Sequence, residues 1–187
     1  MPHPDAERWN ARYTQEEFKH FEQPRPFLVE QAGFLPSQGL ALDAAMGLGG
    51  NAGFLLQRGL RVIGVDVSSV AVRRAKQRLP GLMAVVADIT SFALPTATFD
   101  VILNFFYLER SLWPLYRQAL RPGGLLVIET LTVEMLKVQP EIEPVYLLAP
   151  GELRAAFADL EILVYREGWV AGRRGHSRAV ASLVARV

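Results

Sequence analysis

Apolar runs recur along the chain and alternate with segments of helical character. Leu40-Ala41-Leu42, Arg61-Val62-Ile63-Gly64-Val65 and Met83-Ala84-Val85-Val86-Ala87 each read as a strand, and each is followed at once by an aspartate, Asp43, Asp66 or Asp88. Phe99-Asp100-Val101-Ile102-Leu103 opens a fourth strand and Leu125-Leu126-Val127-Ile128-Glu129 makes a fifth, with a helix over 110–120 between them. Ser68 is a good N-cap for a helix running to Arg78 and stopped by Pro80-Gly81. Near the N-terminus, residues 5–21 predict an amphipathic helix in which Trp9 and Tyr13, four apart, share a face. Pro26 suits the first turn of a second helix over 27–32, ended by Gly33. After a last helix beginning at Pro150, residues 161–166 and 179–185 read as two further strands.

The stretch from 40 to 66 organises the rest. Ala44-Ala45-Met46-Gly47-Leu48-Gly49-Gly50 leads through Asn51 into Ala52-Gly53-Phe54-Leu55-Leu56, so a strand, a tight loop, a helix closing at Gly59 and a second strand follow one another. Parallel strands require such a crossover, and open α/β sheets bind ligands beyond the carboxyl ends of their strands. Glycine in the turn lets a ligand approach the backbone, and the amides opening the helix point into that space. The loop suits a nucleotide-like cofactor. Gly47, Gly49 and Ala52 satisfy G-x-G-x-x-G/A, and Asp66 stands about where dinucleotide enzymes place their ribose-binding acid. Asp43 points to another ligand, because a carboxylate beneath the loop repels a diphosphate and attracts a cationic amine. S-adenosylmethionine carries one. A dinucleotide-dependent reductase is the alternative, disfavoured by Asp43, by Asp88 and by a chain that leaves no room for a substrate domain.

These residues resemble the first two motifs of class I S-adenosylmethionine-dependent methyltransferases. Asp43 to Gly49 matches D-x-G-x-G-x-G with one departure, Ala45 for the first glycine, which would tighten the methionine pocket. Trp9-Asn10-Ala11-Arg12-Tyr13 followed by Pro24-Arg25-Pro26-Phe27-Leu28 is similar to the tellurite-resistance-type and thiopurine-methyltransferase-like branch. The resemblance implies a single domain over 1–187, with residues 1–36 as a helical cap on a Rossmann-like core over 37–187. That core would be a doubly wound, mostly parallel sheet of seven strands ending in an antiparallel hairpin. It also implies that Asp66 binds the ribose hydroxyls and Asp88 the adenine amino group, with Val67 and Ile89 on the adenine faces. Gly47, Gly49, Asn51 and Ala52 would form the cofactor loop, and Trp9 and Tyr13 would lie on a helix closing over it. Asn104 and Tyr107, whose spacing is similar to Asn-Pro-Pro-Tyr without its prolines, would stand beside the transferable methyl group. Competing readings are plain: each aspartate as a helix or turn cap, Trp9 and Tyr13 as docking contacts, Phe105 and Phe106 as core.

Composition narrows the remaining classes. Formal net charge is +1, so no global field draws the chain to nucleic acid or membrane, and the absence of cysteine removes disulfides, thiolate metal sites and cysteine nucleophiles. No apolar segment is long enough to span a bilayer, and the opening residues lack the regions of a secretory signal, which makes a cytoplasmic protein the default. The dense basic cluster Arg173-Arg174-Gly175-His176-Ser177-Arg178 reads as a solvated hairpin loop, since no second basic stripe or aromatic platform supports nucleic-acid binding. Residues 131–149, without clear periodicity, fall where the fold would place the acceptor pocket. The resemblance implies methyl transfer to a small-molecule acceptor, a soft thiol, selenium or tellurium nucleophile being the first expectation. Glu109 and Tyr107 are the nearest candidates for a base. Transfer to a nitrogen of RNA or protein, or cofactor binding without catalysis, stands as the alternative.

Overall fold

The computed structural model describes residues 4–172 and 176–187. Helix α1 (Pro4–Tyr13), a 3-10 turn (Glu16–Glu22) and helix α2 (Pro26–Glu30) precede the first strand. There follow β1 (Leu40–Ala44), α3 (Gly50–Gln57), β2 (Arg61–Asp66), α4 (Ser69–Arg78), β3 (Met83–Val86) and β4 (Phe99–Phe105). The chain then runs through α5 (Leu112–Ala119), β5 (Leu120–Leu131), α6 (Glu152–Ala156), β6 (Glu161–Ala171) and β7 (Ser177–Arg186). All seven strands join one sheet in the order β3-β2-β1-β4-β5-β7-β6. Strands β1 to β5 pair in parallel, whereas β7 runs antiparallel to both β5 and β6. This is the expected seven-stranded α/β methyltransferase fold in a single domain.

The central strands are apolar throughout because both faces are covered. Ala41, Val62, Val101 and Leu103 pack with Phe27 and Leu28 of α2 and Leu55 of α3 on one face. Leu42, Ile102 and Leu126 pack with Trp113 and Tyr116 of α5 and Phe157 on the other. Neighbouring residues thus point to opposite layers, as strand geometry requires. Phe27 and Leu28 are almost wholly inaccessible, each burial contributing about 2 kcal/mol, so α2 is integral to the core.

The N-terminal segment departs from a single helix over 5–21 and breaks after Tyr13. The Thr14 hydroxyl donates to the Ala11 carbonyl at 2.7 Å, a local bond that competes with the helical ladder. The 3-10 turn then brings Phe21 back to Tyr13, edge-on, with ring centroids 6.4 Å apart. Polar ties fix this cap to α4: Asn10 Oδ1 accepts from the Ser68 hydroxyl at 2.7 Å and the Val70 amide at 3.1 Å. Arg74 also donates to the Tyr13 carbonyl, while Arg78 of α4 donates to the Leu48 carbonyl in the β1–α3 loop.

Residues 131–149 are more ordered than their sequence suggests. The amide of Val133 donates to Leu148 and that of Leu148 to Leu131, at 2.9 and 3.0 Å. Met135 and Leu147 bury against Ala179 of β7, forming a small satellite core.

Candidate cofactor and acceptor site

At the carboxyl edge of the parallel strands lies a cavity of about 310 Å3. Its floor is the β1–α3 loop, whose shape depends on left-handed residues at Ala45 (φ 53°), Gly47 (φ 56°) and Gly49 (φ 73°). At Gly47 a side chain has no room, because an added Cβ would stand 2.8 Å from the Tyr13 hydroxyl oxygen. Ala45, the departure from the glycine pattern, adopts a conformation that costs an L-residue about 1–2 kcal/mol.

Asp66 holds this loop to the end of β2. One carboxylate oxygen accepts from the Gly47 amide and the other from the Ser68 amide, both at 2.8 Å. Burial raises its pKa from the ordinary carboxylate value, and the two amides oppose the rise. Asp66 lines the cavity together with Val67, Asp88 and Ile89, and Asp88 accepts from the Thr90 amide at 2.9 Å. Asn51 also lines it, its side-chain oxygen taking the Arg25 amide at 2.9 Å. Trp9 and Tyr13 form the facing wall, their rings stacked 5.4 Å apart. The structure therefore brings Trp9, Tyr13, Ala45, Gly47, Asn51, Asp66, Val67, Asp88, Ile89 and Tyr107 to one cavity.

Four other expected residues stand behind that wall. Gly49 and Ala52 belong to the turn and the first turn of α3. Asp43 is almost wholly buried, accepts from the Ala52 amide, and has a second oxygen with no partner among the described residues. Burial pushes its pKa up to about 7, the Ala52 bond opposing and the Asp66 charge adding to the rise. Asn104 donates to the Tyr116 hydroxyl at 2.9 Å and is buried with it, so its side chain faces α5.

The base candidates also separate. Tyr107 lines the cavity, but burial, then the charges of Asp88 and Glu109, push its hydroxyl up to about 12. It stays protonated at neutral pH. One oxygen of Glu109 accepts from the Ser111 amide at 3.0 Å and hydroxyl at 2.6 Å, and it lies outside the cavity lining.

Further wall residues come from stretches that the sequence marked only coarsely: the aromatic pair 105–106, the 131–149 segment and the basic cluster. Phe106 lies in the cavity wall with a left-handed backbone (φ 58°). Met135 and Gln139 enter from the 131–149 segment, and Arg178 enters from β7. His176 is exposed, while Arg173, Arg174 and Gly175 of the same basic cluster lie outside the described residues. Among the described residues no group of acids and histidines could hold a metal ion, and no helix is long and apolar enough to cross a membrane.

A sheet of this order, a glycine loop after β1 and carboxylates after β2 and β3 together define the class I methyltransferase architecture. Residues 41–124 match the family model described as a methyltransferase domain. Over 95 residues the chain is 33% identical to a probable S-adenosylmethionine-dependent methyltransferase of Mycobacterium tuberculosis, covering 48% of this chain and 34% of that protein. Over 93 residues it is 36% identical to a trans-aconitate 2-methyltransferase of Rhodopseudomonas palustris, covering 46% and 36% of the two chains. The chain thus spans about a third of the length of these curated relatives. A solved S-adenosylmethionine-dependent methyltransferase of Methanosarcina mazei aligns with a TM-score of 0.68 over 88% of this chain and 98% of that one, at 18% identity. At that identity the likeness is one of fold. The chain is thus similar to methyltransferase domains over residues 41–124 and shares the fold of solved methyltransferases.

Proposed function

We propose that the protein transfers the methyl group of S-adenosylmethionine to a small-molecule acceptor. The observation that carries this reading is the cavity over the carboxyl strand ends, with Asp66 and Asp88 at one side and an aromatic and aliphatic wall at the other. Asp66 and Asp88 would hold the ribose and the adenine amino group, Val67 and Ile89 the adenine faces, and Gly47 and Asn51 the methionine part. Gly49, Ala52 and Asp43 would act from beneath, keeping the loop in shape. Bound there, S-adenosylmethionine supplies an electrophilic methyl group on a sulfonium centre.

The chain's own contribution is orientation and exclusion of water. Trp9 and Tyr13 close the cavity from the cap, and Tyr107 offers a hydroxyl that donates and does not take a proton. The carboxylates lining the cavity are each engaged within the chain: both oxygens of Asp66 accept backbone amides, Asp88 accepts the Thr90 amide, and Asp5 pairs with Arg8 at 2.7 Å. That favours an acceptor needing no base, and a soft thiol, selenium or tellurium nucleophile meets the requirement. Membership of the tellurite-resistance-type and thiopurine-methyltransferase-like branch is part of the proposal, supported by Trp9, Tyr13 and Arg25 all reaching the cavity wall. The small-molecule acceptor named for the R. palustris relative supports the size class. Purified protein incubated with methyl-labelled S-adenosylmethionine and cell extract should label a small-molecule fraction. Label confined to RNA or protein would refute the reading.

A further inference from the structure

Sheet topology divides the cavity into two chemically different halves. Over β1, β2 and β3 stand the glycine loop, Asp66 and Asp88. Over β4, β5 and β7 stand Phe106, Leu131, Met135, Gln139 and Arg178. Arg178 reaches this edge because β7 runs antiparallel to β5, pairing Val180 with Leu131. Its side chain therefore enters just past the end of β5.

Two features of this half are unexplained by packing. Phe106 holds a left-handed backbone (φ 58°), a conformation that costs a bulky residue and persists where the surroundings over-determine it. Its amide is fixed on the Glu129 carbonyl at 2.8 Å, and two guanidinium groups lie over its ring, Arg25 at 4.5 Å and Arg178 at 5.3 Å. Arg178 is half-buried yet makes no side-chain hydrogen bond or ion pair with any described residue. The Glu129 charge acts on it, but that carboxylate accepts from the Ser182 hydroxyl at 2.8 Å and lies 3.6 Å from Arg166. Burial lowers the Arg178 pKa from its ordinary value, the signature of a charge taken from water without full compensation.

We infer that Arg178 is a specificity residue that binds a carboxylate of the methyl acceptor, with the acceptor's apolar body against Phe106, Leu131 and Met135. A guanidinium offers a carboxylate two parallel donors, and the Phe106 face holds that fork in place while remaining weaker than an anion. The Arg178 guanidinium, set beside the apolar Phe106, Leu131 and Met135, matches the single charge of a carboxylate. Arg178 binds and orients the acceptor, and the atom that receives the methyl group is elsewhere on that molecule. This inference rests on the methyltransferase reading above.

The test uses the full chain saturated with S-adenosylhomocysteine and calorimetric titration of matched probes: butyrate, hexanoate and 3-phenylpropionate, each against its primary amide. At least one carboxylate should bind about tenfold more tightly than its amide. Arg178→Gln should abolish that preference without weakening the amide, and Arg178→Lys should restore part of it. The inference is overturned if no carboxylate outbinds its amide in the wild type, or if the preference survives in Arg178→Gln. Failure of S-adenosylhomocysteine itself to bind would instead overturn the cofactor reading on which it rests.

Discussion

Asp66→Ala is the substitution whose effect the structure defines most sharply, because the carboxylate has two separable duties. It ties the β1–α3 loop to β2 through the Gly47 amide and opens the α4 turn through the Ser68 amide, at 2.8 Å each. Removing it leaves two buried amides without an acceptor, at about 1–3 kcal/mol each. Part of this is offset because a desolvated carboxylate, whose pKa burial already raises, is removed as well. A net loss of about 2–3 kcal/mol is expected, or roughly 5–10 °C in Tm for a chain of this size. Asp66→Asn keeps one acceptor oxygen and should lose about half as much. Differential scanning calorimetry of the ligand-free proteins reads this structural duty directly. Repeating the scans with S-adenosylhomocysteine reads the binding duty, since a ligand that binds only the folded state raises Tm in proportion to its affinity. Both variants should show a smaller ligand-induced rise than wild type. An Asp66→Ala protein as stable as wild type without ligand would refute the role assigned to the carboxylate in the loop.

Two further outcomes follow from neighbouring residues. Asp43, with a folded pKa of about 7 against an unfolded 3.8, keeps its proton longer in the folded state. The stability this gives is full below pH 3.8 and is lost as pH rises to about 7. Asp43→Asn can still accept the Ala52 amide, so its urea midpoint minus that of wild type should climb across this window and level off above it; a flat difference would contradict the assignment. Ala45→Gly relieves a left-handed alanine, and the gain of about 1–2 kcal/mol exceeds the added unfolded-state entropy of about 0.4–1 kcal/mol. Thermal unfolding should therefore show a small increase in Tm, and a decrease would show that the Ala45 methyl makes packing contacts that matter more than the strain.

The core of the site was legible in the sequence because its causes are local. Buried parallel strands are continuous apolar runs, and a tight strand-to-helix loop needs residues tolerant of positive φ, so the stretch from 40 to 88 displays its topology in residue types alone. What escaped the sequence depends on distant partners. Asn104 follows a strand-end pattern that suggests a ligand contact, yet Tyr116, twelve positions away on α5, takes its side chain. Arg178 sits in a cluster that looks solvated, while the pairing of β7 with β5 turns it toward the cavity. Thr14 carries the break in the N-terminal helix, but only the return of Phe21 onto Tyr13 makes that break favourable. The segment 131–149 shows no period because a short backbone bridge and the Met135–Leu147 contacts order it, with no regular element repeating.

The central claim is that the cavity over Asp66 and Asp88 is a site for S-adenosylmethionine, and titration calorimetry with S-adenosylhomocysteine tests it most directly. Micromolar binding to the wild type, much weaker binding to Asp66→Ala and no heat with NADH are the expected results. Absence of binding to a folded wild-type protein, or binding of NADH in its place, would contradict the claim.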